Sequence, residues 1–171
     1  MKHTISVLVE NKFGVLARIA GLFSARGFNI SSLAVGETED PSVSRMTIVV
    51  EGDDKTLEQI KKQLNKLIDI IKVVDFKEGK FLDRELILIK VAVSAKTREA
   101  ILEAVESSGA RIENAGSKSI SIEAAGDETK IKALLELLRP FGILEVVRTG
   151  RIAMSIDDKG LSAGGKPEVN E

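Results

Sequence analysis

The spacing of apolar residues predicts a strand, a helix and a second strand at the start of the chain. Apolar and polar positions alternate over Thr4–Val9, as they do in a strand, and helical spacing takes over from Val15. Continued along the chain, these two periods predict six elements in the first half: strand, helix, strand, strand, helix and strand. Their ranges are Thr4–Val9, Val15–Arg26, Asn29–Glu37, Ser44–Glu51, Thr56–Ile68 and Ile70–Phe76.

The second half of the chain predicts the same order of elements. Their ranges are Glu85–Val93, Lys96–Glu106, Arg111–Ala115, Ser119–Ala124, Glu128–Leu138 and Ile143–Val147, with Ile152–Ile156 as a candidate continuation of the last strand. Two short echoes support a repeat. Residues 26–30 resemble residues 108–112, and residues 52–54 resemble residues 126–128. The first copy has extra residues between its second and third strands, where Thr38–Ser42 reads as a hairpin loop.

Each copy has the order βαββαβ, which predicts a four-stranded antiparallel sheet with two helices on one face. The fold class is therefore α+β, with two consecutive ferredoxin-like domains at residues 1–77 and 83–156. We expect a short linker at Lys77–Lys80 and a disordered tail at residues 157–171, which is rich in Gly, Ser and Lys. Strands Arg45–Val50 and Leu86–Ile89 carry more apolar residues than half-solvated strands should, so we expect another copy or subunit to cover them.

The turn between the first strand and the first helix, Asn11–Leu16, is the strongest candidate for a binding site. At a helix start the first backbone N–H groups have no helical partner and the helix dipole favours an anion, while Gly14 permits close approach to the backbone. A carboxylate could dock there. The side-chain carbonyls of Asn11 and Asn29 could accept hydrogen bonds from an ammonium group, so the region offers complements to both ends of a free amino acid.

A purely structural role for the same residues stays open at this point. An Asn before a helix is commonly an N-cap or a turn former, and Gly14 can serve only to relieve a tight turn. Gly27 reads as an ordinary glycine just beyond a helix C-terminus.

Composition excludes several classes of function. The 171 residues include 25 Lys and Arg against 26 Asp and Glu, so no bulk charge draws the chain to nucleic acid or to membranes. The chain has no Cys, and its sole histidine is His3, which removes the usual carriers of metal binding and nucleophilic catalysis. We expect no metal site and no catalytic residue. No apolar run approaches the ~20 residues that span a bilayer, and no segment reads as a signal peptide, so we expect a cytoplasmic protein.

Over residues 2 to 156 the chain resembles the small regulatory subunit of acetohydroxyacid synthase, also called acetolactate synthase. The residues that carry the resemblance are Asn11–Ile30, Asp40–Ile48 and Leu57–Leu67. The resemblance implies that the first domain is an ACT domain, a ferredoxin-like module that senses small molecules. It also implies that a homodimer forms through this domain and that the effector lies between its two copies. The effector-binding residues would be Asn11, Gly14, Val15 and Leu16, with Asn29 and Ile30 from the other chain.

The same resemblance implies that the chain is not catalytic. It would bind the large subunit of the synthase, which carries thiamine diphosphate, Mg and FAD, while this chain would hold no cofactor. It would raise the activity of the large subunit and confer feedback inhibition by valine or another branched-chain amino acid. Phe13 departs from the small residue or proline that is common before the glycine in the family.

The second copy lacks the turn motif. Its first strand is followed by Ser94–Arg98, without Asn or a glycine turn, and Arg111 stands where Asn29 would be. We therefore expect sensing in the first half and assembly or activation contacts in the second.

Three other functions compete with this interpretation. The first is an ACT-type amino-acid sensor that acts on another partner. The second is an RNA-recognition module, which shares the strand order but needs sheet aromatics and basic residues, whereas this chain has six Phe and no Trp or Tyr. The third is a small enzyme that uses Arg18, Arg26 or Arg45. Each of these arginines also reads as a solvated or strand-start charge, and no base or nucleophile accompanies them.

Overall fold

A computed structural model describes residues 1–76 and 81–156 of the chain. The chain divides into two compact units. The first unit contains Met1–Leu82 together with the segment that begins at Ala153, and the second contains Asp83–Ile152. The linker predicted at Lys77–Lys80 and the tail predicted at residues 157–171 lie outside the described residues.

The first unit is a four-stranded antiparallel sheet with two helices. Its elements are β1 (Lys2–Glu10), α1 (Val15–Ala25), β2 (Ile30–Glu37), β3 (Val43–Glu51), α2 (Asp54–Leu64) and β4 (Ile70–Phe76). The strands lie in the order β2-β3-β1-β4, so β1 is central and β2 is an edge strand that pairs with β3 alone in the described part of the sheet. This arrangement confirms the ferredoxin-like prediction for the first half.

The second unit repeats this plan. Its elements are β5 (Phe81–Ala92), α3 (Arg98–Ser108), β6 (Arg111–Ala115), β7 (Ser119–Gly126), α4 (Glu128–Leu138) and β8 (Ile143–Arg148). After β8 the chain enters β9 (Ile152–Ser155), whose residues from Ala153 onward fall in the first unit. Strands β5 to β8 lie in the order β6-β7-β5-β8. The candidate continuation of the last strand is thus a separate strand, β9, because a turn that includes Gly150 with φ 81° separates it from β8.

The helix ends explain the short sequence echoes of the repeat. Asp53 caps α2 by accepting a hydrogen bond from the Thr56 N–H at 2.8 Å, and Asp127 caps α4 by accepting one from the Lys130 N–H at 2.8 Å. At the other end, α1 and α3 are each followed by a left-handed glycine, Gly27 in the first unit and Gly109 in the second. These matching caps confirm the repeat.

One helix is shorter than its apolar spacing predicted. The prediction extended the second helix to Ile68, but α2 ends at Leu64 because the next residues form tighter turns, with hydrogen bonds from residue i+3 to residue i. Here the Lys66 N–H donates to the Gln63 carbonyl and the Leu67 N–H to the Leu64 carbonyl. Leu67 still packs against the core, whereas the side chain of Ile68 is 95% exposed. The assignment of Ile68 to the helical apolar stripe was therefore wrong.

Each unit packs its helices on one face of its sheet around a separate apolar core. In the first unit this core includes Ile5, Val7, Ile19, Phe23, Ile48 and Ile60. In the second unit it includes Ile87, Ile89, Ile101, Ile120, Ile122 and Leu134. Because side chains on a strand alternate between faces, the residues between these positions belong to the face without helices.

The faces without helices differ between the two units. In the first sheet Ser6 and Thr47, which pair across β1 and β3, are almost fully buried. Arg45 lies next to them: its Nε donates to the Ser6 hydroxyl at 3.0 Å and its Nη2 donates to the Ala153 carbonyl at 3.1 Å. Burial lowers the pKa of Arg45 from its ordinary value. Arg45 is thus a structural residue of the first unit and not the strand-start charge that we expected. In the second sheet Leu88 and Val147 remain exposed.

Candidate functional site

The turn from β1 to α1 leaves the start of the helix open. Gly14 is the N-cap residue of α1, with φ 81°, and among the described residues no side chain caps this helix. A residue with a Cβ is strained at such a φ, which explains why glycine stands at this position. The Val15 N–H donates to the Lys12 carbonyl at 3.3 Å. The other N–H groups of the first turn, which no helix can satisfy internally, are available to an anionic ligand.

Asn11 does not cap the helix. Its backbone N–H donates to the Ser42 carbonyl at 2.7 Å, and its Nδ2 donates to Glu37 Oε1 at 3.0 Å and to the Pro41 carbonyl at 2.9 Å. These bonds tie the turn to the hairpin loop between β2 and β3. Because both hydrogens of the amide group are engaged, the orientation of Oδ1 is fixed and this oxygen can accept a further hydrogen bond.

The hairpin loop that receives Asn11 is itself held by side chains, in agreement with the loop predicted at Thr38–Ser42. Asp40 Oδ1 accepts hydrogen bonds from the Ser42 N–H at 2.9 Å and from the Ser42 hydroxyl at 2.7 Å. These two bonds lower the pKa of Asp40 from its ordinary value. The loop is therefore a defined platform for the Asn11 amide.

Arg18 is a residue of the turn that the sequence interpretation missed. The sequence predicts a solvated charge, but its Nε and Nη2 donate to Asp69 Oδ2 at 2.8 Å and 2.7 Å, and Asp69 is buried. Its third nitrogen, Nη1, lies against Gly14, so close that a Cβ at position 14 would come within 3.0 Å of it. The only local sign of this ion pair in the sequence was Asp69, an acidic residue between Ile68 and Ile70. An acidic residue among apolar ones is typical of a buried carboxylate that pairs with a cation.

Asn29 and Ile30 lie at the opposite end of the sheet from Asn11. Ile30 is aligned with Val50 of β3, which is in turn aligned with His3 at the start of β1, whereas Asn11 follows the end of β1 at Glu10. The strand from His3 to Glu10 spans about 23 Å. This length is far greater than that of a free amino acid. One chain alone does not bring the two asparagines together.

The apolar residues of the turn divide into two groups. Val15 is buried in the core of the first unit and its N–H donates to the Lys12 carbonyl at 3.3 Å, so its side chain is not available to a ligand. Phe13 and Leu16 are exposed, and Val35 on the edge strand β2 is exposed as well. An exposed Phe is unusual enough to indicate that something covers it.

Other kinds of site are not evident in the described part of the chain. Within residues 1–76 and 81–156 no group of three or more His, Asp or Glu could hold a metal ion. Within the same ranges no helix is long and apolar enough to cross a membrane.

Comparison with known proteins decides the family. The family model for the AHAS small subunit-like ACT domain matches residues 5–72, and the model for the small subunit of acetolactate synthase matches residues 84–157. The chain belongs to the acetolactate synthase small-subunit family. The resemblance carried by Asn11–Ile30, Asp40–Ile48 and Leu57–Leu67 is thereby confirmed.

Named relatives cover nearly the whole chain. The acetolactate synthase small subunit of Mycolicibacterium smegmatis is 52% identical over 94% of this chain and 95% of the relative. The probable acetolactate synthase small subunit of Archaeoglobus fulgidus is 56% identical over 90% of this chain and 96% of the relative. The crystal structure of the small subunit from Thermotoga maritima superposes with a TM-score of 0.85, at 40% identity, over 93% of this chain and 99% of that one.

Membership of this family gives the first unit an ACT domain and supports a regulatory subunit. A small subunit implies a large-subunit partner, and it agrees with a chain that is not itself catalytic. The roles of the predicted site residues in binding an effector remain predictions. These residues are Asn11, Gly14, Val15, Leu16, Asn29 and Ile30.

The corresponding turn in the second unit of this small subunit has side-chain hydrogen bonds of a different kind. The Ser94 N–H donates to Thr97 Oγ1 at 3.0 Å, and Arg98 Nη2 donates to the Gly116 carbonyl at 2.7 Å. Arg111, which stands where Asn29 would be, lies 3.4 Å from Glu113 and 3.6 Å from Glu123. Helix α3, like α1, starts without a side-chain cap among the described residues. The two turns therefore differ in their asparagine and glycine and not in the capping of the helix.

Proposed function

We propose that the chain is the non-catalytic regulatory subunit of an acetohydroxyacid synthase. It binds the large subunit, raises its activity and makes it sensitive to feedback inhibition by a branched-chain amino acid, with valine as the first candidate. The observation that supports this most directly is the uncapped start of α1 at Gly14, next to the oriented amide of Asn11. Together these groups complement the carboxylate and the ammonium group of a free amino acid.

The effector site is completed by a second copy of the chain. Asn29 lies about 23 Å of strand away from Asn11 within one chain, so a single amino acid can touch both residues only if they come from different chains. The open edge of β2 and the exposed side chains of Phe13, Leu16 and Val35 support a homodimer through the ACT domain. The effector then lies between the two ACT domains.

Catalysis belongs to the large subunit, where thiamine diphosphate, Mg and FAD are expected. An effector changes that activity only as far as it binds one dimer arrangement better than another. We assign sensing to the first unit and contacts for assembly or activation to the second, because the corresponding turn of the second unit, Ser94–Arg98, has neither an asparagine nor a glycine.

Titration of the full chain with amino acids tests the proposal. A ligand that binds only the folded state stabilises it by mass action, by about 2.7 kcal/mol at a hundredfold excess over Kd. Valine, leucine or isoleucine should therefore raise the melting temperature, and histidine and lysine should not. The absence of any shift with all three at millimolar concentration would refute amino-acid sensing.

An activity assay tests the partner. The large subunit with pyruvate and thiamine diphosphate should form acetolactate faster when this chain is added, and valine should reverse that gain. The chain alone should form none. Turnover by the chain alone would contradict the assignment of catalysis to the large subunit.

A further inference from the structure

Glu37 is a carboxylate beside the candidate effector turn to which no role has been assigned. It is the last residue of β2 and is exposed, and its Oε1 accepts a hydrogen bond from Asn11 Nδ2 at 3.0 Å. Neighbouring charges of the turn are paired: Glu10 lies 2.6 Å from Lys12, and Arg18 lies 2.7 Å from Asp69. Among the described residues Glu37 has no cationic partner. The negative charge next to Asn11 is therefore uncompensated.

An ammonium group needs more than Asn11 can offer. It carries three N–H donors and a full positive charge, whereas Asn11 supplies one neutral carbonyl oxygen. A carboxylate has about four lone-pair positions, and Asn11 Nδ2 occupies one of them on Glu37. The remaining positions can accept from an ammonium group, and such charge-assisted bonds are about twice as strong as neutral ones.

We propose that Glu37 binds the ammonium group of the effector and makes the site selective for a free amino acid over the 2-oxo acid with the same carbon skeleton. This inference rests on the proposed function. Both ligands present a carboxylate to the start of α1 and the same apolar side chain. They differ where Glu37 and Asn11 Oδ1 lie, since the oxo acid has a carbonyl oxygen there that repels both acceptors.

Replacing Glu37 by glutamine removes the negative charge and keeps the hydrogen bond to Asn11. In Glu37→Gln the side-chain amide oxygen can still accept from Asn11 Nδ2, and Asn11 keeps its bonds to Pro41 and Ser42. The variant should therefore leave the loop and the melting temperature unchanged. Glu39 lies two residues further along, is exposed and carries the same charge, so Glu39→Gln is the matched control.

The experiment is calorimetric titration of the wild type and both variants, as full chains, with valine and with 3-methyl-2-oxobutanoate. Loss of one charge-assisted contact should raise the Kd for valine about tenfold in Glu37→Gln, and Glu39→Gln should stay within about twofold of the wild type. The oxo acid should bind Glu37→Gln at least as well as it binds the wild type. The preference for valine over the oxo acid therefore narrows in that variant alone.

The outcomes separate this inference from the proposed function. Wild-type binding of valine with equal affinities in both variants would overturn the role of Glu37 and leave amino-acid sensing intact. An equal loss of affinity for valine and for the oxo acid in Glu37→Gln would also overturn it, because Glu37 would then act on a feature that both ligands share. A wild type that binds none of the three branched-chain amino acids would overturn the proposed function and this inference with it.

Discussion

The two units share one strand order but differ in the residues of the turn after their first strand. In the first unit Gly14 starts α1 without a side-chain cap, and the Asn11 amide is turned toward the hairpin loop. In the second unit Ser94 and Thr97 bond to each other, and α3 begins after Thr97, which has a right-handed backbone, likewise without a side-chain cap among the described residues. Because both units share the ferredoxin-like plan, we attribute the proposed site to the turn at Asn11 and Gly14 and not to the fold.

The two units also differ in the burial of the sheet face that carries no helices. Ser6 and Thr47 on the face without helices are buried in the first unit. The corresponding face of the second unit exposes Leu88 and Val147, beside a cavity of about 230 Å³ that Lys90 and Glu145 also line. On the same face of the first unit the apolar Val49 is buried as well, so the apolar residues that we expected to need a cover are buried in the first unit and exposed in the second. An open face suits the assembly role that we propose for the second unit.

Replacing a left-handed glycine by aspartate should give the largest difference in valine affinity between a variant of the first unit and a variant of the second. Gly14→Asp puts a negative charge where the effector carboxylate should dock, so we expect valine affinity to fall at least ~100-fold. Gly109→Asp imposes similar backbone strain on the second unit, where φ is 64°. It should lower the melting temperature and leave affinity unchanged. Equal loss of valine binding in both variants, measured by calorimetry, would show that strain alone is responsible.

The next largest effect on valine affinity should come from replacing the two asparagines, which we place on different chains of the dimer. Asn11→Ala and Asn29→Ala should each reduce valine affinity about tenfold or more, because each removes a polar contact of the ligand. When the two variants are co-expressed, mixed dimers contain one site with both asparagines, so a fraction of wild-type affinity should return in calorimetry. Arg111→Ala in the second unit is the control and should change nothing. No recovery in dimers shown to be mixed would contradict a site shared between chains.

Local patterns were sufficient to predict most of the fold. The bounds of β4, β6 and α4 match their predictions, since each element begins or ends at a turn or cap that the sequence displays. The echo between residues 52–54 and 126–128 marks the two helix starts, where Asp53 and Asp127 are the caps. Where no such signal exists the prediction failed, as at Ile68, whose apolar character continues the helical period beyond the end of α2.

The candidate site was only half visible in the sequence. Gly14 and Asn11 could be identified because a strand, a glycine turn and a helix follow one another directly. The pairing of Arg18 could not, because its partner Asp69 lies 51 residues away, and single-sequence periodicity carries no information on such pairs. Glu37 was missed for the same reason, since its contact with Asn11 spans 26 residues.

Each unit has an ion pair with a nearly buried carboxylate, and removing the charge of that carboxylate should have a smaller effect. Arg18 pairs with Asp69 in the first unit and Arg148 with Glu85 in the second, and in both pairs the carboxylate side chain is 11% exposed. The hydrogen bonds to Glu85 raise the pKa of Arg148. We expect Asp69→Asn and Glu85→Gln each to cost about 1–3 kcal/mol in the free energy of unfolding, measured by urea denaturation.

Effector binding should distinguish these two variants. Asp69 holds Arg18 against Gly14, so Asp69→Asn should also weaken valine binding a few-fold, about 1 kcal/mol or less. Glu85→Gln should leave the affinity unchanged because its pair lies in the other unit. If Glu85→Gln weakened valine binding as much as Asp69→Asn does, the pair at Arg18 would have no special relation to the turn.

The smallest effect should appear at the helix caps, where the units are most alike. Asp53 accepts from both the N–H and the hydroxyl of Thr56, at 2.8 Å and 2.7 Å, whereas Asp127 accepts from the N–H of Lys130. Asn also caps helices well, so Asp53→Asn and Asp127→Asn should each lower the melting temperature by only a few degrees at neutral pH. The loss should be larger for Asp53, which has two bonds to its charged oxygen.

The pH dependence of that loss tests its origin. The hydrogen bonds from Thr56 lower the pKa of Asp53 below its ordinary value of 3.8, so the native state favours the ionised carboxylate. Its contribution is complete above pH 3.8 and disappears as the pH falls through the lowered pKa. The difference in melting temperature between the wild type and Asp53→Asn should therefore be constant from about pH 7 to about pH 5 and shrink toward about pH 3. A difference that grows on acidification would mean that the cap does not depend on the charge of Asp53.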